Sequence, residues 1–137
     1  MRLGPLRIFV GAMLSAVVGC GPGIADYDEA VGDTGYRFFR TDSINKAIRP
    51  TSRCGQNCPS IGGKIIAYDF NDSVIAALRQ TVNYYRCKEG YIPFEITPEI
   101  AYWVIDLKGT ELLGPIDEAE FSALRSAQRQ RFMGIEL

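Results

Sequence analysis

Residues 101–132, AYWVIDLKGTELLGPIDEAEFSALRSAQRQRF, decide the fold of this chain. The first part is rich in aromatic and β-branched residues, and Lys108-Gly109 offers turn chemistry with Gly109 free to take positive φ, which predicts a β-hairpin. The second part begins with Asp117 as a helix N-cap and has Glu120 at the third helical position. This pair predicts a capping box at the start of a C-terminal α-helix.

The expected helix has one narrow apolar face. Phe121, Leu124 and Phe132 recur along that face, while Arg125 and Arg129 collect toward the carboxyl end, where positive charge suits the helix dipole. We therefore expect the helix to pack on the hairpin through its apolar face.

Two further hairpins are predicted upstream. YRFFR (36–40) and INKAIRP (44–50) flank a polar turn, and KIIAYDF (64–70) and SVIAALR (73–79) flank another at Asn71 and Asp72. Both sides of 64–70 are apolar, which is typical of a strand covered on both faces. Residues 73–86 also fit helical spacing, so a helix is the alternative to a strand there. The fold class is α+β: a small antiparallel sheet of about six strands arranged as hairpins, with the C-terminal helix packed on it.

The segment from residue 79 to residue 98 is predicted to be an irregular loop or insertion, because it mixes aromatic residues with Gly90, Pro93 and Cys87. Aromatic and arginine side chains are the usual anchors of protein interfaces. The partner-binding candidates are Tyr84, Tyr85, Arg86, Tyr91 and Phe94. The alternative is that these rings cover one end of the small sheet.

The amino terminus has the features of a secretory signal peptide. Arg2 and Arg7 precede an apolar run, Ile8 to Gly19, which is too short to span a membrane as a helix. The residues VVGC at 17–20 resemble a bacterial lipobox, whose cysteine receives a diacylglycerol group. This resemblance implies cleavage before Cys20 and a Cys20 that carries several acyl chains such as palmitate, which together anchor a protein stably to a membrane.

These features give the expected domain organisation. We predict a lipoprotein signal peptide at 1–19, a lipidated flexible tether at 20–34, rich in glycine and acidic residues, and one globular domain at 35–137. Gly21 follows Cys20. An aspartate at this position would favour retention in the inner membrane. The expected location is the bacterial outer membrane, facing the periplasm. The alternative is an ordinary signal peptide with Cys20 as a free or bridged thiol.

Three cysteines remain after Cys20: Cys54, Cys58 and Cys87. An exported protein meets an oxidising compartment, so one disulfide and one leftover thiol are expected. A bridge from Cys54 or Cys58 to Cys87 is favoured because a longer closed loop removes more entropy from the unfolded chain. A Cys54–Cys58 bridge is the alternative. Three thiols without histidine do not make a structural zinc set, so no metal is expected.

The composition argues against several classes of function. The chain has no histidine, and removal of residues 1–19 leaves a net charge of −3, without a basic run, so we expect no nucleic-acid partner. Histidine-based catalysis is unavailable, and no phosphate-cradling loop or nucleophile elbow is present, so we expect no cofactor and no enzyme activity. SIGGK at 60–64 lacks the spacing of a P-loop.

The order of the predicted elements resembles an uncharacterised family of small bacterial lipoproteins. The segments that carry the resemblance are GYRFFRTDS, KIIAYDFNDSVIAA and YWVIDLKGTELLGPIDEAEFSALR. The resemblance implies a shared fold and no established activity, and it is weakest around Cys54, Cys58 and Cys87. The matching positions are Asp26, Tyr27, Gly35, Tyr36, Arg40, Thr41, Tyr102, Trp103, Ile105, Asp106, Gly114, Pro115, Glu120 and Phe121.

The expected function follows by elimination. A small, lipid-anchored, disulfide-braced domain without catalytic groups fits a periplasm-facing binding module of the inhibitor or immunity type, which neutralises a toxin or hydrolase. The alternative is a structural or assembly accessory of an envelope complex. In both cases the expected partners are the membrane, through Cys20, and a protein.

Overall fold

A computed structural model describes residues 27–41, 44–87 and 90–137. The predicted signal peptide at 1–19, the lipidation site Cys20 and the first part of the predicted tether lie outside these residues. Seven strands form one sheet in which they lie side by side in chain order, followed by one helix. The elements are β1 (Tyr27–Ala30), β2 (Tyr36–Arg40), β3 (Lys46–Pro50), β4 (Lys64–Phe70), β5 (Val74–Cys87), β6 (Gly90–Asp106), β7 (Glu111–Ile116) and α1 (Glu118–Ala127).

The α+β class and the mostly antiparallel sheet are confirmed, but the sheet has seven strands instead of about six. The additional strand is β1, which pairs antiparallel with β2. It lies inside the segment 20–34, for which a tether was predicted, and its residues Tyr27–Ala30 are part of the sheet. Its sequence, YDEA, lacks the alternation of apolar and polar residues that predicts a strand. The pairing joins backbone groups at an edge and does not need alternating apolar side chains.

The two faces of the sheet have separate cores. On one face, Ile65, Ile75, Ala77 and Ile105 of β4–β6 pack with Val31 and residues of β2 and β3. On the other face, Val74, Ala76 and Val104 pack with Phe121 of α1 and with the chain that follows it. Alternate residues of a strand point to opposite faces, so β5 supplies both cores. The sheet is therefore buried on both sides at Val74–Ala77 of β5 and at Val104–Ile105 of β6.

The three predicted hairpins are present as β2–β3, β4–β5 and β6–β7. Residues 74–87 form a strand throughout, so the helical alternative does not hold. The prediction that 64–70 is covered on both faces is wrong in part, because Ile66 is 47 % exposed. The register shifts between Ile65 and Ala67, and this bulge interrupts the alternation of the strand.

The predicted capping box is present. Asp117 Oδ1 accepts a hydrogen bond from the Glu120 N–H at 2.8 Å, and Glu120 Oε2 accepts one from the Asp117 N–H at 3.0 Å. The predicted role of Gly109 is wrong, since Thr110 is the residue with positive φ in this turn, at 54°. The Gly109 amide instead hydrogen-bonds to Asp106. The helix ends at Ala127, and Phe132 still packs edge-on against Phe121, with 5.9 Å between the ring centroids.

Candidate functional site

The longest hairpin of the sheet extends beyond its neighbours. β4 pairs with β5 only from Ile75 to Gln80, and β7 pairs with β6 only from Tyr102 onward. Residues 81–87 and 90–100 therefore pair with each other and with no third strand among the described residues. We call these residues the arm. Seven residues of β5 beyond Gln80 span about 23 Å at ~3.3 Å per residue.

The arm is joined to the sheet through a bulge. The register shifts between Gln80 and Val82, where β6 has extra residues around Thr97. Gln80 Nε2 donates to the Thr97 carbonyl at 2.9 Å, and Thr97 Oγ1 donates to the Thr81 carbonyl at 3.2 Å. These side chains satisfy backbone groups that the bulge leaves without ladder partners, so the base of the arm is held by specific contacts.

The two strands of the arm differ in how well their edges are protected. In the arm, β6 contains Pro93 and Pro98, which have no N–H to offer to an added strand, whereas residues 81–87 of β5 contain no proline. Ile96 and Ile100 of β6 are 41 % and 51 % exposed. The arm therefore combines an unprotected strand edge on β5 with exposed apolar side chains on β6.

All five predicted partner-binding residues lie in the strands of the arm. The segment is regular β-structure, so the prediction of an irregular loop is wrong. Pro93 does not end strand β6, because β6 stays paired with β5 on both sides of Pro93, as far as Gly90. The backbone register pairs Tyr84 with Pro93, Tyr85 with Ile92, and Arg86 with Tyr91. The side chains of Tyr84, Tyr85, Arg86, Tyr91 and Phe94 lie outside the described part of the structure.

The disulfide joins Cys54 to Cys58, with 6.0 Å between their Cα atoms. The favoured bridge to Cys87 is therefore wrong, and the alternative holds. Both bridged cysteines pack against the core near Tyr36, whereas Cys87 pairs with Gly90 at the tip of the arm. A disulfide needs Cα atoms within about 7 Å, and this proximity outweighs the larger entropic benefit of a long loop.

A cavity of about 580 Å³ lies where β3 meets β4. These two strands are parallel and share only the registered pair Lys46–Lys64, so the ladder is nearly interrupted there. Sequence reasoning did not find this cavity, because its cations come from separate segments of the chain. The glycine pair of SIGGK was the only local signal. The lining residues are Phe39, Thr41, Asn45, Lys46, Ala47, Arg49, Gly62, Gly63 and Arg79.

Asp106, at the end of β6, has structural partners. Asp106 Oδ1 accepts from the Lys108 N–H at 2.9 Å, and its Oδ2 lies 2.8 Å from Arg131 Nη2. Burial raises the pKa of Asp106, but the hydrogen bonds from Lys108, Gly109 and Arg131 outweigh it and lower the pKa below its usual value. Burial also raises the pKa of the Tyr36 hydroxyl. Asp106 is therefore hydrogen-bonded to the turn that follows β6.

Within the described ranges, no three metal-binding side chains gather at one place. In the same ranges, no helix combines the length and apolar character that crossing a membrane requires.

Comparison with curated proteins and with solved structures finds no match. A family model matches residues 33–129, which include β2 to β7 and all of α1. The matched region contains both the arm and the cavity, and it covers more than half of the chain. This match confirms the resemblance to an uncharacterised family, so the chain belongs to the family described as Protein of unknown function (DUF3997).

Proposed function

We propose that the protein is a lipid-anchored binding module that faces the periplasm and holds a protein partner through the arm, as an inhibitor or immunity-type protein does. One observation carries the proposal: residues 81–87 and 90–100 extend past β4 and β7 as a two-stranded ribbon. Two strands alone are marginally stable in water, and a third strand supplies the missing pairing.

The partner is expected to add an extended strand to the β5 edge of the arm. Backbone N–H and C=O groups along such an edge provide affinity, and side chains beside it provide specificity. The β5 edge is favoured over the β6 edge because Pro93 and Pro98 interrupt the donors of β6. Ile96 and Ile100 of β6, both exposed, add an apolar surface one strand away from that edge, which side chains of the partner can cover.

The anchor is proposed from the sequence at 17–20, VVGC. A palmitate label should be incorporated into the full chain in bacterial cells and should be lost in Cys20→Ser. Cys87→Ser is the matched control and should retain the label. Equal labelling of the Cys20→Ser variant and the native protein would contradict lipidation at Cys20.

Capture from native envelopes with the full chain tests the partner. The test variant is Ile96→Ser/Ile100→Ser. The control is Leu112→Ser/Leu113→Ser, which removes two exposed leucines of β7, 38 % and 46 % exposed. A single stoichiometric partner, retained by the control and lost by the arm variant, is the expected result.

Two other results would count against the proposal. Recovery of the same multi-component assembly by all three proteins would favour a structural or assembly accessory of an envelope complex. Self-association of the purified chain that the arm variant abolishes would mean that a second copy, and no other protein, covers the arm. Light scattering on the purified proteins distinguishes that case.

A further inference from the structure

The cavity between β3 and β4 has the residues of an oxyanion site. Three cationic side chains line it, those of Lys46, Arg49 and Arg79, and no carboxylate is among its described lining residues. We propose that this cavity binds a phosphate group carried by a small soluble ester or by a lipid headgroup. This site is separate from the arm and does not depend on the proposed function.

Arg79 is held in place at the back of the cavity. Its guanidinium carbon lies 5.1 Å from the centre of the Trp103 ring. On the other side is Gly63, where an added Cβ would lie 2.7 Å from Arg79 Nε. Gly63 has a φ of 111°, which also favours glycine. The absence of a side chain at Gly63 therefore leaves room for the guanidinium, which is positioned before any ligand arrives.

Arg49 and Lys46 come from β3. The Arg49 guanidinium lies 5.8 Å from the centre of the Phe39 ring, across the pair of strands β2 and β3. The Lys46 N–H donates to the Gly63 carbonyl at 2.8 Å, which fixes β3 beside the glycine pair. In the described part of the chain neither Lys46 nor Arg49 forms an ion pair. No described carboxylate therefore neutralises either charge.

The chemistry favours phosphate. Guanidinium groups bind phosphate oxygens through paired hydrogen bonds, and an ammonium group adds a compact positive charge. Like charges that line one cavity repel each other, and a multiply charged anion removes that cost. A water molecule occupies about 30 Å³, so a cavity of 580 Å³ has room for more than a single phosphate group. The remaining space lies against Phe39 and Ala47, which suit an apolar part of the ligand.

Calorimetry on the full chain, with inorganic pyrophosphate and glycerol 3-phosphate as probes, tests the soluble source. Co-sedimentation with phosphatidylcholine vesicles, with and without phosphatidic acid, tests the lipid source. The test variant is Lys46→Gln/Arg49→Gln, which alters side chains that are not in either core. The control is Arg53→Gln/Lys108→Gln, which removes the same charge from exposed positions outside the cavity.

We expect the test variant to weaken binding by about tenfold or more, and the control to change it by less than about threefold. Binding of glycerol 3-phosphate without binding to vesicles that contain phosphatidic acid identifies a soluble ester. Binding only to vesicles with phosphatidic acid identifies a lipid headgroup. Absence of binding in both assays would overturn the proposal, as would equal weakening in both variants. The capture experiment above does not use these positions, so either proposal can fail alone. Circular dichroism of both variants verifies that they are folded.

Discussion

Arg131 Nη2 lies 2.8 Å from Asp106 Oδ2, which ties the chain after α1 to the end of β6. The same carboxylate accepts the Lys108 N–H at 2.9 Å, so Asp106 orders the β6–β7 turn as well. The contact joins two segments 25 positions apart in the sequence. These two contacts give Asp106, at the end of β6, a structural role.

This contact makes stability depend on pH. The pKa of Asp106 is lowered in the folded state, so its contribution is present above the unfolded pKa, about 3.9, and is lost as the pH falls through the folded value. Asp106→Asn should reduce the free energy of unfolding by about 1 kcal/mol at pH 7, since the pair is partly exposed. The difference from the native protein should shrink below about pH 4.

Urea unfolding at several pH values measures this difference. Asp72→Asn is the matched control, because Asp72 is exposed in the neighbouring β4–β5 turn and forms no ion pair with the described residues. A constant difference between Asp106→Asn and the native protein down to pH values below about 3 would contradict the role of the charge.

Asn71 fastens the carboxyl-terminal segment to the β4–β5 turn. Its Nδ2 donates to the carbonyls of Arg131 and Met133 at 2.8 and 3.0 Å. Its Oδ1 accepts from the N–H groups of Ser73 and Val74 at 2.8 and 3.0 Å. Asn71→Ala should lower the free energy of unfolding by about 2 kcal/mol or more, because several hydrogen bonds are lost together.

Thermal and urea unfolding of Asn71→Ala test this expectation, with Asp72→Ala as the neighbouring control. The control should change stability by less than about 0.5 kcal/mol, as exposed substitutions commonly do. Equal stability of the two variants would show that the Asn71 side chain does not hold the segment.

The Cys54–Cys58 disulfide leaves Cys87 outside the bridge. No lysine or arginine lies between Cys54 and Cys58, so non-reducing tryptic mapping should recover both cysteines in one internally bridged peptide that is not linked to Cys87. Cys54→Ser/Cys58→Ser should reduce stability by about 2 kcal/mol in the chain-entropy treatment of a short loop. Cys87→Ser should leave the bridge intact, and a Cys87-containing linked peptide in the native protein would contradict the assignment.

Local sequence signals predicted much of the fold. The hairpins and the capping box at Asp117 and Glu120 depend on residues close together in the chain, so turn and cap chemistry was sufficient to find them. β1 was missed because its residues, YDEA, carry no alternation. The turn before β7 was assigned to Gly109, although Thr110 takes the positive φ.

The candidate sites were harder to predict because they depend on distant contacts. Cys87 was expected to pair with Cys54 or Cys58, and only the register of β5 and β6 shows that it lies at the tip of the arm. The cavity lies at the nearly interrupted pairing of β3 with β4, and the register of β4 with β5 brings Arg79 beside Gly63. Neither relationship has a sequence spacing that indicates it.

Binding through the arm is tested most directly by hydrogen exchange of the full chain, alone and with its captured partner. Strand addition to the β5 edge should slow exchange of the amides in residues 81–87, while residues 111–116 of β7 exchange as before. Unchanged exchange in residues 81–87 of the complex, with protection elsewhere, would contradict partner binding through the arm.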